Sequence, residues 1–105
     1  MSKYNARRTL YDGVWFDSQK EQQRYVQLKL MLKAGKITDL ELQPRYDIHV
    51  NNKYICFYKA DFSYNDENTN LVVEDVKSPM TAKLPVYRLK KKLLRACHGI
   101  DIVEV

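Results

Sequence analysis

A strong strand signal lies in the stretch LVVEDVK, residues 71–77, where aliphatic residues surround two acids and precede a lysine. Successive side chains of a strand point to opposite faces, so Val73, Asp75 and Lys77 share one face and Glu74 points to the other. Asp75 and Lys77 are therefore neighbours. An ion pair at a strand end would explain them structurally.

The preceding extended segment, residues 54–64, carries Asp61 among mostly apolar residues. An acid in the middle of a strand is disfavoured, and burying it without a partner is costly. Asp61 therefore needs a cation, a hydrogen-bond network or water, unless it stands at the end of its strand beside a loop. A simple ion pair between Asp75 and Lys77 leaves Asp61 unexplained.

The remaining pattern predicts an N-terminal hairpin around Asp12-Gly13, a helix that begins after Ser18, and a second helix that begins at Pro85. The predicted bounds are 8–11 and 14–16 for the hairpin, 18–34 and 85–97 for the helices, and 37–50 (interrupted at Pro44), 54–64, 71–77 and 100–105 for the extended segments. Three consecutive strands favour an antiparallel meander, and a crossover helix could return the last strand parallel to a neighbour. The prediction is one α/β domain, of mixed α+β type, over residues 1–105, with one mixed sheet and flanking helices.

Glu21 heads the apolar stripe of the first predicted helix. At about 100° per residue, Tyr25, Leu28 and Leu32 fall within about 40° of it. A capping box with Ser18 explains the same glutamate without any chemistry. A cap and a ligand occupy the same position here, so both interpretations stay open.

Lys90 falls inside the apolar stripe of the second predicted helix, where it could snorkel to solvent. The opposite face of that helix is basic, and its members are Arg88, Lys91, Lys92 and Arg95. A run of this kind usually forms a solvated face, and contact with phosphates is its natural functional alternative.

The composition favours a polyanionic partner weakly, because 18 Lys and Arg against 13 Asp and Glu give a net charge of +5. No apolar stretch is long enough for a membrane span, and the N-terminus lacks the apolar core of a signal peptide, so we expect an intracellular protein. Cys56 and Cys97 are expected to be free thiols. His49 and His98 lack partners at metal-ligand spacing.

Taken together, the unusual charged residues suit divalent-metal hydrolysis of phosphodiesters. Two acids on adjacent strands and a glutamate from a helix supply the hard oxygen ligands that Mg²⁺ prefers. A lysine two residues after one acid adds positive charge near the transition state.

The run Tyr58-Lys59-Ala60-Asp61-Phe62, followed by Asp75-Val76-Lys77, resembles the signature of the PD-(D/E)XK nuclease superfamily. The upstream Glu21 matches its frequent helix-borne acid. Nearly the whole chain is similar in order to a family of small phage and prophage proteins whose layout is like that of phage endonuclease I, a Holliday-junction resolvase. Ala60 stands where the motif has a proline. That position does not bind the metal in the family.

This resemblance implies a restriction-endonuclease-like core, with an N-terminal hairpin followed by an αβββαβ order. It implies that Glu21, Asp61 and Asp75 bind Mg²⁺, with Mn²⁺ as a substitute, that the Val76 carbonyl adds a ligand, and that Lys77 is catalytic. Side-chain alternation favours Asp75 over Glu74, since the ligand must share a face with Lys77. By the same resemblance, Lys90 is an auxiliary basic residue that points into the site from the second helix. We expect contacts to nucleic acid from a set of basic residues, namely Lys90, Arg88, Lys91, Arg24 and Arg45.

The expected function is a DNA endonuclease selective for branched DNA such as a Holliday junction, acting in phage recombination or DNA processing in the cytoplasm of a bacterial host. Cutting a four-way junction twice favours a homodimer, for which the N-terminal hairpin is a candidate contact. No small-molecule cofactor and no membrane are expected. The alternatives are an inactive module that binds nucleic acid or a protein partner, and a nicking or exonuclease subunit of a larger complex.

Overall fold

The computed structural model describes residues 8–105. Its elements in chain order are β1 (Thr9–Tyr11), β2 (Val14–Phe16), α1 (Gln19–Lys33), β3 (Thr38–Leu42), β4 (Arg45–Val50), β5 (Lys53–Lys59), β6 (Phe62–Asn65), β7 (Leu71–Asp75), a short 3-10 turn (Thr81–Lys83), α2 (Pro85–His98) and β8 (Ile102–Glu104). The mixed α+β class predicted from the sequence is confirmed. No helix in the described part of the chain is long and apolar enough to cross a membrane.

The main sheet has four strands in the order β3-β6-β7-β8. The first three are antiparallel, and β8 pairs in parallel with β7, with Val73 opposite Ile102. The predicted meander and the parallel return after the second helix are therefore confirmed. Because β7 is an inner strand of the sheet, its last two residues, Glu74 and Asp75, are both buried.

The predicted N-terminal hairpin is confirmed as β1–β2. The prediction that the later strands form one sheet was wrong, since β4–β5 forms a separate two-stranded hairpin. Two long extended segments each break into two strands, one at Gln43-Pro44 and the other at Ala60-Asp61. Pro44 cannot donate a ladder hydrogen bond, and Gln43 takes a positive φ of 51°. The two breaks face each other, because the Gln43 N–H donates to the Asp61 carbonyl at 2.9 Å and the Ala60 N–H donates to the Pro44 carbonyl at 3.0 Å.

Both helices begin and end close to the predicted residues. The Ser18 hydroxyl accepts a hydrogen bond from the Glu21 N–H at 3.1 Å, which caps α1. Gly99, at φ 68°, ends α2 in the left-handed conformation, and its N–H donates to the Arg95 carbonyl at 2.9 Å.

The two helices cover opposite faces of the main sheet. One core combines Phe16, Tyr25, Leu28, Ile37, Phe62 and Tyr64 on the α1 side. The other combines Ile48, Tyr58, Ala60, Val73, Leu94 and Ile102 on the α2 side. Strand β7 therefore sends alternate side chains into two different cores, and its two acids follow the same alternation.

Candidate active site

Glu74 points to the α1 side and is fully paired there. Its two carboxylate oxygens accept hydrogen bonds from Arg24, at 2.8 Å from Nε and 2.6 Å from Nη2. The Tyr64 hydroxyl donates to the same carboxylate. This bidentate geometry satisfies the charge of a side chain that is only 1% exposed. The structure therefore places Glu74 in an ion pair inside the fold, on the face away from Lys77.

Asp75 points to the α2 side and has no comparable partner. Its Oδ1 accepts the Asp61 N–H at 3.1 Å, its Oδ2 accepts the Tyr58 hydroxyl, and the Lys77 ammonium lies 3.8 Å from Oδ2. Burial raises the pKa of Asp75 to about 6, and the charge of Lys77 and the bond from Asp61 only partly oppose that rise. Asp75 and Lys77 meet as the strand alternation predicted.

Asp61 lies at the corner between β5 and β6, next to the end of β7. The prediction that it interrupts a continuous strand was wrong, and the alternative of a strand-end position is confirmed. Its Oδ2 accepts the Val76 N–H at 2.7 Å. Burial raises the pKa of Asp61, against the lowering effects of that hydrogen bond and of Lys77. Asp61, Asp75 and Lys77 are called the acidic corner below.

Glu21 approaches the acidic corner from the first turn of α1. Burial raises its pKa to about 7, and the nearby charges of Asp61 and Asp17 add to the rise, while Lys77 lowers it. The helix therefore brings a third carboxyl into electrostatic contact with Asp61. The backbone N–H of the same residue donates to the Ser18 hydroxyl, so Glu21 also takes part in the cap of α1.

The acidic corner fits a hard divalent cation held by few protein ligands. Within residues 8–105, no three acids, histidines or cysteines stand close enough together to form a ready metal cage. Mg²⁺ usually keeps several waters and takes one or two carboxylates plus a substrate phosphate, so Asp61 and Asp75 are the residues that could hold it. A buried and a partly buried carboxyl with raised pKa values are also the kind of site that a cation would relieve.

Lys77 is held beside Asp75 by its surroundings. Its Nζ lies 4.4 Å from the centre of the Tyr87 ring, and the side chain is 21% exposed. Its backbone N–H donates to the Val105 carbonyl at 3.1 Å, and its carbonyl accepts from Lys20 Nζ at 2.8 Å. The lysine can therefore present its charge to a bound anion from a fixed position.

A comparison with protein families gives a match over residues 1–100, to the model of DUF1064, described as "Protein of unknown function". The chain belongs to this family. The matched range includes the whole acidic corner and Glu21. No curated protein and no solved structure matches the chain.

Two tyrosines of the site were missed by the sequence analysis. Tyr58, 4% exposed, bonds Asp75, and Tyr87 lies against Lys77 while its hydroxyl donates to Glu104 at 2.6 Å. Burial and the bond to Glu104 raise the pKa of Tyr87. In the sequence both look like core aromatics, and nothing local indicates where their hydroxyl groups point.

The basic residues assigned to nucleic acid fall in three places. Arg24 is bound to Glu74. Lys90 and Arg45 both lie over the Phe57 ring, at 5.3 Å and 4.0 Å from its centre, so Lys90 turns to Phe57 and not to the carboxylates as the resemblance implied. The third place is a cavity of about 350 Å³ beside α2, lined by Arg88, Lys91, Lys92, Arg95, Ala82, Asp101 and Glu104.

Within that cavity two of the four cations are paired. Lys91 Nζ lies 3.1 Å from Glu104, and Arg95 Nε lies 3.3 Å from Asp101. Arg88 and Lys92 form no ion pair within the described residues. The predicted basic face of α2 therefore exists, with part of its charge already neutralised.

The Val76 carbonyl ligand stays a prediction, since the observed bond to Asp61 uses the Val76 N–H.

Proposed function

We propose that this chain is a Mg²⁺-dependent DNA endonuclease with a restriction-endonuclease-like core of the PD-(D/E)XK kind. The observation that supports it best is the acidic corner. Asp75, buried at the end of β7, accepts a hydrogen bond from the backbone N–H of the partly buried Asp61, and a lysine stands 3.8 Å from Asp75. A purely structural site would neutralise such acids, as Arg24 neutralises Glu74.

Asp61 and Asp75 would hold the cation, and Glu21 and the Val76 carbonyl would contribute as further ligands. When bound there, Mg²⁺ would acidify a water and offset the charge of a scissile phosphate. Lys77 would place its ammonium beside the phosphate and lower the cost of the charge that develops during hydrolysis. Tyr58 would keep the Asp75 carboxylate in one orientation.

The proposed substrate is branched DNA. A domain of this size offers little surface for base readout, so recognition by shape and phosphates is the natural mode. The net charge of +5 and the cations on α2 support attraction to DNA. A homodimer would supply the two cuts that a four-way junction needs, in phage recombination or DNA processing in the cytoplasm of a bacterial host.

A second candidate is a module with this fold that binds nucleic acid without cutting it. One observation favours it, namely that the described acids form no ready cage of three ligands. A nicking or exonuclease subunit would share the chemistry of the first proposal and differ in its partners.

The decisive experiment incubates the purified chain with a four-way junction, a linear duplex and a single strand, with Mg²⁺, with Mn²⁺ and with EDTA. We expect cleavage of the junction only with a divalent metal. Lys77→Ala should reduce the rate by about 100-fold or more, as loss of a group that stabilises developing charge does.

Lys36→Ala is the matched control, because Lys36 is exposed and its ion pair with Glu67 is also on the surface. It should cut at the wild-type rate. If none of the three DNAs is cut with either metal, the enzyme proposal fails. If Lys77→Ala cuts as fast as Lys36→Ala, the acidic corner is not the active site.

A further inference from the structure

The β4–β5 hairpin has one covered and one open face. Its inner side chains, Tyr46, Ile48, Cys56 and Tyr58, belong to the core on the α2 side. Its outer face is exposed, and strand pairing sets Arg45 opposite Lys59, Asp47 opposite Phe57 and His49 opposite Tyr54. We call these six residues the outer ribbon face.

Phe57 is the centre of this face and carries two cations. Its side chain remains 38% exposed, although the Arg45 guanidinium lies 4.0 Å and the Lys90 ammonium 5.3 Å from the ring centre. Lys59 stands across the ladder from Arg45. The acid of the face, Asp47, bonds Arg45 at 3.2 Å, so positive charge is still in excess around the ring.

A second aromatic pair lies farther along the same face. Tyr54 is 52% exposed, and its ring centre lies 5.5 Å from that of His49. The ribbon therefore presents two aromatic surfaces in succession, with cations beside the first of them. Proteins that hold single-stranded nucleic acid combine these two features, because bases stack on aromatic rings while phosphates pair with Lys and Arg.

The outer ribbon face leads towards the acidic corner. β5 ends at Lys59, two residues before Asp61, while Tyr58, whose hydroxyl bonds Asp75, lies on the inner face of the hairpin. At about 3.3 Å per residue, Phe57 and Asp61 are at most about 13 Å apart along the chain. The end of β5 therefore joins the outer ribbon face to the acidic corner.

We propose that the outer ribbon face binds an unpaired segment of DNA, with Phe57 as the stacking surface and Arg45, Lys59 and Lys90 at the phosphates. The inference rests on the proposed nuclease function and specifies its substrate: DNA in which unpaired bases adjoin the cleavage point. A protein partner fits this face less well, because burying an apolar ring that lies against two cations would require desolvating those charges.

The test measures binding of fluorescein-labelled dT20 and of a labelled 20-base-pair duplex by anisotropy in EDTA, so that no cleavage occurs. Phe57→Leu keeps an apolar side chain but removes the aromatic face, and should weaken binding of dT20 by at least about fivefold, the effect of losing one stacked base. Phe57→Tyr should bind dT20 as the wild type does. Leu71→Ala, which removes an apolar side chain of 55% exposure from β7, is the control and should have no effect.

Thermal melting confirms that each variant is folded, and light scattering gives its mass. The proposal is overturned if wild-type protein does not bind dT20, if Phe57→Leu binds it normally, or if duplex affinity falls by the same factor. It is also overturned if Phe57→Leu changes the oligomeric mass and leaves DNA affinity intact, since the face would then be a protein interface.

The two proposals fail separately. If the wild type cuts no DNA but Phe57→Leu loses affinity for dT20, the ribbon binds single strands and the nuclease proposal is wrong. If the wild type cuts a junction and Phe57→Leu binds dT20 normally, the nuclease proposal stands and the ribbon inference is wrong.

Discussion

Glu74 and Asp75 are adjacent on β7 and almost equally buried, yet their surroundings differ in kind. Glu74 faces α1, where Arg24 binds both of its oxygens. Asp75 faces α2, where a tyrosine, a backbone N–H and a lysine at 3.8 Å surround it and its pKa is still raised to about 6. Burial alone therefore does not mark a functional acid. The distinguishing property is a charge that the fold leaves incompletely balanced.

The largest expected effect concerns Glu74, whose charge is balanced by Arg24. Arg24→Met removes the partner of a carboxylate that is 1% exposed, and should lower the free energy of unfolding by about 3 kcal/mol. Urea denaturation at pH 7 measures the change. Asp75→Asn should change stability by less than about 1 kcal/mol, because an amide still accepts the Asp61 N–H and can donate to the Tyr58 oxygen.

The double variant Arg24→Met, Glu74→Leu is the control for this comparison. Replacing both members of a buried ion pair by apolar residues is often nearly neutral, so most of the lost stability should return. A double variant as unstable as Arg24→Met would show that the loss comes from packing around the arginine and not from an unpaired charge.

A smaller effect concerns Asp75, whose charge the fold balances incompletely. Saturating Mg²⁺ or Mn²⁺ should raise the Tm of the wild type, because a ligand that binds only the folded state stabilises it. At ten times its Kd the gain is about 1.4 kcal/mol, which corresponds to about 6 °C for a domain of this size. Differential scanning fluorimetry with and without EDTA measures the shift.

Asp75→Asn should abolish this metal-dependent shift, and Glu74→Gln should keep it, since the two acids lie on opposite faces. An equal loss in both variants would indicate that the cation binds elsewhere or that the two faces are not independent.

The smallest effect concerns Glu21, whose pKa is raised from 4.5 to about 7. A raised folded-state pKa contributes stability that is complete below pH 4.5 and is lost as the pH rises through 7. Glu21→Gln should remove this decline, so that the fall in the free energy of unfolding between pH 4.5 and 7.5 shrinks by about 1 kcal/mol after allowance for solvent screening of a partly exposed group.

The measurement is urea denaturation across that pH range in the absence of divalent ions. Glu67→Gln, at an exposed surface ion pair, is the matched control and should keep the wild-type decline. A decline of equal size in Glu21→Gln and the wild type would show that Asp61 and burial do not act on Glu21 as the structure indicates.

Local signals in the sequence were sufficient for the elements with strong punctuation. Ser18, Pro85 and Gly99 set the ends of the helices, and the crossover helix indicated that the last strand could return parallel to a neighbour, which is β7. An interruption at Pro44 was predicted, but the division of each extended segment into two separate strands, at Gln43-Pro44 and at Ala60-Asp61, was not. Each corner is stabilised by the other through long-range backbone hydrogen bonds, which no local pattern contains.

The candidate site was likewise predictable from the sequence only in part. Alternation along β7 was enough to predict that Asp75 and Lys77 meet and that Glu74 turns away. The hydroxyl of Tyr58 and the destination of Lys90 were not predictable, because long side chains reach partners that are set by tertiary packing. The metal, the DNA substrate and the dimer stay predictions.

The alternation of side chains along β7 also limits where residues can be inserted into or deleted from this chain. Deleting or inserting one residue within Leu71–Asp75 would exchange the faces of the two acids, turning Glu74 away from Arg24 and Asp75 away from Tyr58. The exposed turn just before it, where Asp66 Oδ1 accepts the N–H groups of Asn68 and Asn70 at 2.9 Å, carries no such constraint. Insertions and deletions are therefore expected to accumulate in that turn and to be excluded from the five residues that follow it.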